Sequence, residues 1–283
     1  MDLSGRRESS HVEDRRGLST GGKVGIGAIL MAAAMAYFTG GDVLQAVIQT
    51  ATQAQVTQQT DHEFTQEEEE YATFSKQILA STEDVWTEVF KEQGATYEYP
   101  KMVLFTSSVS TGCGSASSNV GPFYCSADQS LYIDLSFFNV MDQQLGAKGE
   151  LSRAYVIAHE VGHHVEYLTG RLTKTHQQMQ GLSSAKANQL SVRLELLADY
   201  YAGVWARHEG DKFSSFTDTE LEQAIQCAQV IGDDYLQKRA GQGVNEESFT
   251  HGSSAQRMKW FKKGYNRGDM SGGNTFELDY DDL

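Results

Sequence analysis

From residue 64 onward, apolar positions recur with helical spacing, and Tyr71, Phe74 and Ile78 mark one face of a first helix. A second helix is predicted to begin with Ser81 or Thr82 as N-cap and to bury Trp86, Val89 and Phe90. The period then changes. The stretches "KMVLFTSSV" (101–109) and "SLYIDLSFF" (130–138) carry β-branched and aromatic residues and read as the two strands of a hairpin. Helical patterns follow over about 151–169, 184–208, 218–240 and 253–264, and Thr217 with Glu220 forms a capping box at the start of the third. The chain shows no internal repeat. This order of elements predicts an α+β, helix-dominated fold with a small sheet ahead of the central helix.

Ahead of that body, residues 24–41 ("VGIGAILMAAAMAYFTGG") form an uncharged run, rich in Gly and Ala, close to the lower length for crossing a bilayer. Arg6, Arg7, Arg15, Arg16 and Lys23 precede it, and no Lys or Arg follows until Lys76. That asymmetry predicts a cytoplasmic basic segment at 1–23, a transmembrane anchor at 24–41 and a body outside the cytoplasm. Residues 42–63, with the Gln- and Thr-rich "LQAVIQTATQAQVTQQT" at 44–60, read as a linker. The folded domain is assigned to 64–270 and an acidic tail to 271–283. A cleaved signal peptide is the competing reading, since Ala34-Met35-Ala36 resembles a small-residue cleavage site. The long leader ahead of the apolar run favours an uncleaved anchor.

Composition narrows the field. Of 283 residues 40% are hydrophobic and only 2 are proline, which supports a packed core rather than a proline-rich disordered chain. A formal net charge of -15 argues against nucleic acid as a partner. Part of that charge lies in two runs, Glu67 to Glu70 and Glu277 to Asp282, which read as solvated surface. Cys113 and Cys125 flank the loop "CGSASSNVGPFYC", a spacing that suits a disulfide in an oxidising compartment and a pair of thiols in a reducing one. Cys227 lies in a helical pattern and reads as a small buried hydrophobe.

The candidate chemistry lies in "AYVIAHEVGHHVEYLTG" (154–170). His159 and His163, four apart on a helix, can face one metal ion, and Glu160 between them is placed to act on a water there. A catalytic zinc takes three protein ligands and leaves a fourth position for water. A metzincin pattern would need Gly at 166 and His at 169, where this chain has Glu166 and Thr169. The next candidate is "LELLADYYAGVWA" (194–206), in which Glu195 can complete a two-His, one-Glu site. Asp199, one turn on, can fix a ligand histidine through its other ring nitrogen. Carboxylates on so apolar a helix are costly unless paired or on a metal. His251, in "THGSSAQR", is a candidate donor to the oxyanion of an acyl-transfer transition state; the same stretch also reads as a helix start capped by Ser253 or Ser254. His164, His176 and His208 read as ordinary polar histidines.

At these residues the chain resembles the bacterial neutral zinc metallopeptidases that carry one N-terminal membrane helix. The resemblance runs through "GRRESSHVEDRRG" (5–17), the apolar run, "CGSASSNVGPFYCSADQSLYIDLSFF" (113–138), "HEVGHHVE", "ELLADYYAGVWA", "IGDDYLQKRA" and "THGSSAQRMKWFKKG". It implies a zincin-like fold with one Zn2+ per chain held by His159, His163 and Glu195, and with Glu160 catalytic. Many family members carry cysteine where this chain has Tyr200 and again where it has Gly273, so the resemblance implies a missing second disulfide and no evident partner for Cys227. The expected function is a membrane-anchored metallopeptidase acting on peptide or protein substrates outside the cytoplasm. Two alternatives remain: a scaffold that keeps zinc for structure, and a zinc hydrolase of a non-peptide amide. Structural zinc prefers four protein ligands, and a dead relative would be expected to lack Glu160.

Overall fold

A computed structural model describes residues 1–20, 57–59 and 63–283. The expected anchor at 24–41 and most of the linker lie outside the described residues. Among the described residues no helix is long and apolar enough to cross a membrane.

The chain opens with β1 (Val12–Asp14) and β2 (Leu18–Thr20), and resumes with β3 (Thr57–Gln59), which pairs antiparallel with β2. Helix α1 (Gln66–Glu92) follows. Thr65 caps it in a capping box with Glu68, and Glu67, Glu68 and Glu69 lie in its first turn, where negative charge favours the helix dipole. One continuous helix stands where two were expected. Ser81 and Thr82 are buried within it instead of capping a second: the Thr82 hydroxyl donates to Leu79 O, and Ser81 accepts from Trp205 Nε1 at 2.9 Å. An interior hydroxyl with a local or tertiary partner does not break a helix.

Strands β4 (Lys101–Phe105), β5 (Ser108–Thr111), β6 (Gly114–Ser117), β7 (Phe123–Cys125) and β8 (Ser130–Asp134) come next. The main sheet has the order β1-β4-β8-β7. The two strands read as a hairpin are neighbours, but parallel, with Met102 opposite Leu131. The long connection between them allows this, because it holds the separate β5–β6 hairpin and β7, which pairs antiparallel with β8. Every residue of β8 is buried, as expected of a strand covered on both faces. Cys113 and Cys125 are joined by a disulfide that ties the β5–β6 turn to β7, and Cys227 is buried and free.

A short helix α2 (Ser136–Val140) leads to α3 (Glu150–Leu168), α4 (Arg171–Met179), α5 (Ser184–Phe213), α6 (Asp218–Val230), α7 (Asp233–Arg239) and α8 (Ser254–Arg267). The expected helix over 218–240 breaks into α6 and α7 at Gly232, whose backbone lies against Ser254: a Cβ there would sit 2.4 Å from Ser254 N. Helix α4, polar but for Leu172 and Met179, was not anticipated. The core gathers Trp86 from α1, Tyr155 from α3, Trp205 from α5 and Trp260 from α8, all fully buried. Helix α8 packs tightly on α5. At Gly264 a Cβ would lie 1.9 Å from Tyr200 O, so this crossing admits no side chain.

Both ends depart from the expected segmentation. Residues 1–17 are part of the body, since β1 adds to the main sheet beside β4 and Arg16 is buried. Residues 271–283 are not a free acidic tail: Thr275 donates to Arg193 O, and Thr275 and Leu283 are buried. Apolar and hydroxyl residues spaced among the acids supply the anchoring. The Gly273 backbone also faces Tyr200, with a Cβ at 273 falling 3.2 Å from its ring. Positions 200 and 273 are therefore side by side, and the Tyr200 hydroxyl holds this region by donating to Asp269 O at 2.6 Å and accepting from Gly272 N at 3.0 Å.

Candidate metal centre

Helices α3 and α5 face one another across Gly162. A Cβ there would lie 2.9 Å from both Cα and O of Ala198, so glycine sets how closely the helices approach. This contact lies next to His163 on one helix and Asp199 on the other. His159 and His163 occupy successive turns of α3, Glu195 and Asp199 successive turns of α5, and the i, i+4 spacing turns each pair toward the other helix. One ligand atom each from His159, His163 and Glu195 comes within 4.8 Å of the other two. Nε2 of His159 lies 3.1 Å from Glu195 Oε2, and Nε2 of His163 lies 3.5 Å from Glu195 Oε1.

The outer ring nitrogens are committed elsewhere. His159 Nδ1 lies 2.8 Å from Asp199 Oδ1 and His163 Nδ1 lies 2.9 Å from Glu166 Oε2. Both carboxylates are fully buried. Asp199, held ionised by Arg257, only accepts, so His159 Nδ1 carries the hydrogen. Burial pushes Glu166 up to about 7, and in its ionised form it fixes His163 the same way. In the neutral rings each Nε2 then presents a lone pair toward Glu195. Two lone pairs and a carboxylate then converge with no hydrogen between them. Such a donor set fits a divalent cation.

The electrostatics agree. Burial alone would lower His159, but Asp199 and Glu195 outweigh it and raise the ring to about 9. Burial is likewise overcome at His163 by Glu195 and Glu166, which raise it well above its ordinary value. Burial would raise Asp199, yet Arg257 and His159 hold it down at about 2. With nothing else between them the side chains draw in protons, which marks a pocket that stabilises positive charge. Glu160 is buried beside them, and desolvation pushes its carboxyl above the usual range. His163 and Glu195 retain some solvent contact, so the cluster opens on that side.

Three supporting residues escaped the sequence reading. Arg257, from α8, is buried and grips Asp199 with Nε at 2.8 Å and Nη2 at 3.0 Å. Tyr155, one turn before His159, donates its hydroxyl to the same carboxylate and accepts from Arg257 Nη2 at 3.2 Å. Glu166 is the third. Its signal was its place three residues after His163 on one helix face; that of Arg257 was its position in line with Ser254, Phe261 and Gly264 on the buried face of α8.

His251 lies near the cluster. Its ring is exposed but close enough to Glu195 for that carboxylate to raise its pKa, with Asp233 adding to the effect. Asp233, at the start of α7, accepts from the backbone N–H groups of Thr250, His251 and Gly252 at 2.7, 2.7 and 3.0 Å, and its Oδ1 lies 3.3 Å from His251 Nδ1. Asp233 was missed because "IGDDYLQKRA" gives no hint of a loop folding back onto it. Ser253 does cap α8, in a capping box with Gln256. Of the remaining histidines, His164 Nδ1 meets the Tyr124 hydroxyl at 2.9 Å and its Nε2 donates to Glu98 O, His208 Nε2 donates to Gly268 O, and His176 lies on α4; none joins the cluster.

Comparison with known proteins supplies the decisive frame. The family described as "Putative neutral zinc metallopeptidase" matches residues 1–276. The chain belongs to this family. The uncharacterized protein YpfJ of Escherichia coli (strain K12) is 43% identical over 288 residues, covering 98% of this chain and 99% of that protein. The uncharacterized protein Rv2575 of Mycobacterium tuberculosis (strain H37Rv) is 43% identical over 190 residues, covering 64% of this chain and 63% of its own length. No solved structure matches the chain. The family match includes the N-terminal residues that pack on the body.

Proposed function

We propose that the protein is a zinc-dependent peptidase in which His159, His163 and Glu195 hold one Zn2+ and Glu160 is the general base. The observation that carries this reading is the convergence of the two Nε2 atoms and the Glu195 carboxylate, with both Nδ1 atoms committed to buried carboxylates. A bound zinc ion supplies a Lewis acid and an acidified water. Asp199 and Glu166 orient the imidazoles, and Arg257 keeps Asp199 ionised so that it accepts the His159 N–H. Glu160, its affinity for protons raised by burial, takes a proton from the attacking water and passes it to the departing amine. His251, oriented by Asp233, donates to the oxygen on which charge develops. The edge strand β7 favours a peptide substrate, because its outer side has no strand partner among the described residues and Tyr124 within it touches His164, next to His163. An extended chain can add to such an edge.

The Cys113–Cys125 disulfide supports action in an oxidising compartment, and the uncharged run 24–41 supports attachment to a membrane. The test uses the full chain in detergent, with zinc content and cleavage of a peptide library measured for wild type, Glu160→Gln and Glu195→Ala. One zinc per chain, cleavage lost in Glu160→Gln with zinc kept, and zinc lost in Glu195→Ala are expected. Stoichiometric zinc without cleavage of any peptide would overturn the peptidase reading in favour of a scaffold or a non-peptide hydrolase.

A further inference from the structure

The basic residues ahead of the uncharged run are the ones that would place the N-terminus in the cytoplasm, opposite the body. In the folded protein three of them, Arg6, Arg7 and Arg16, are engaged by the body itself. Arg6 pairs with Glu209 of α5 at 2.8 Å and lies 3.6 Å over the Phe213 ring. Arg7 pairs with Glu83 at 2.9 Å and Asp84 at 2.6 Å, both on α1. Arg16 is buried, bonded to Asp14, to Glu69 at 2.9 Å and to Glu68 O at 2.9 Å. Ser9 is buried, donating its hydroxyl to Glu83 and its N–H to Lys76 O at 3.0 Å.

The body is complementary to this segment in two further ways. Glu83 and Glu209 are almost fully buried, and without residues 1–17 both would lose their arginine partners, a costly state for a carboxylate. Strand β4 would also lose one of its two neighbours. Val12, Glu13 and Asp14 run parallel to Met102, Val103 and Leu104, with Met102 N–H donating to His11 O and Arg15 N–H to Leu104 O. Strands β2 and β3 then pair directly, Leu18 opposite Gln59.

A segment cannot pack on a body across a lipid bilayer. We propose that residues 1–17 lie on the same side of the membrane as the metal centre. The arginines then act as structural ion pairs, not as the cytoplasmic flank of a single-pass anchor. The proposal does not depend on the peptidase reading.

Single cysteines at Ser10 and Gln242, both exposed, test it in the full chain expressed in a bacterial inner membrane. The native cysteines are silent, two in a disulfide and Cys227 buried. Labelling of intact spheroplasts with a membrane-impermeant maleimide is compared with labelling after solubilisation. The expected result is an equal intact-to-solubilised ratio for Ser10→Cys and Gln242→Cys. Reaction of Gln242→Cys in intact spheroplasts with Ser10→Cys reacting only after solubilisation would overturn the proposal. Protection of both until solubilisation would keep the shared side and overturn instead the placement of the site in an oxidising compartment.

Discussion

Replacing Arg257 with methionine removes one charge from the network behind the candidate metal centre and leaves its volume nearly unchanged. Asp199 is fully buried and takes two bonds from the guanidinium, at 2.8 and 3.0 Å. Without them the carboxylate keeps only Tyr155 and His159 as partners. Breaking a buried pair from one side costs about 3–5 kcal/mol. At roughly 2–4 °C per kcal/mol for a domain of this size, the metal-free protein should melt about 6–20 °C lower. The ring behind one proposed ligand is also less firmly held, so zinc affinity should fall about 10–100-fold. The double variant Asp199→Asn/Arg257→Met removes both charges and should recover part of the stability lost by Arg257→Met. Thermal melts of the metal-free forms and competition with a zinc chelator read the two effects. An Arg257→Met protein that melts with the wild type and holds zinc as tightly would refute the network as described.

Four further outcomes follow from the geometry. Gly264→Ala, whose methyl would lie 1.9 Å from Tyr200 O, should force α8 from α5 and cost about 3 kcal/mol or more in denaturant unfolding. Cys113→Ser/Cys125→Ser opens a loop with a sequence separation of 12 and should lose about 3 kcal/mol, visible as an earlier unfolding midpoint. His251→Ala and Asp233→Asn should each lower kcat with zinc content unchanged, His251→Ala by about 100-fold; equal turnover would remove His251 from the mechanism. Burial holds His164 at about 4, below the roughly 6.5 of an exposed ring, so the unfolded chain binds the extra proton between those values. Its contribution is therefore complete above about pH 6.5 and is lost as pH falls toward 4, by up to about 3 kcal/mol, and metal-free His164→Phe should show a shallower acid slope than wild type.

The helical half of the molecule was largely legible because apolar spacing and caps are local signals. Thr217 with Glu220 marked the start of α6, and the apolar surroundings of Glu195 and Asp199 marked α5 as buried. What failed was non-local. Nothing in "KMVLF" or "SLYID" distinguishes a hairpin from parallel neighbours, since that depends on where the intervening chain goes. Ser81 and Thr82 read as a cap because a cap is their commonest use, whereas partners such as Trp205 become visible only in three dimensions. The arginines before the apolar run were read through their sequence neighbours, although their partners Glu83 and Glu209 lie far along the chain. In the candidate metal centre the one-turn spacings on α3 and α5 were readable; Arg257 and Asp233 come from helices that only folding brings near.

The parallel pairing of β1 with β4 has a kinetic consequence. Val12 and Met102 are about ninety residues apart, so at roughly 5–20 residues per second β1 waits about 5–20 s during synthesis before its partner strand exists. Loop closure over that distance is also among the slower contacts a chain makes. The uncharged run emerges early in this interval, before either Glu83 or Glu209 has been made. Where the first seventeen residues come to rest is therefore a race between lipid capture of that run and capture of β1 by β4. Variants that slow strand capture should show up as chains of mixed sidedness before they show up as unstable protein.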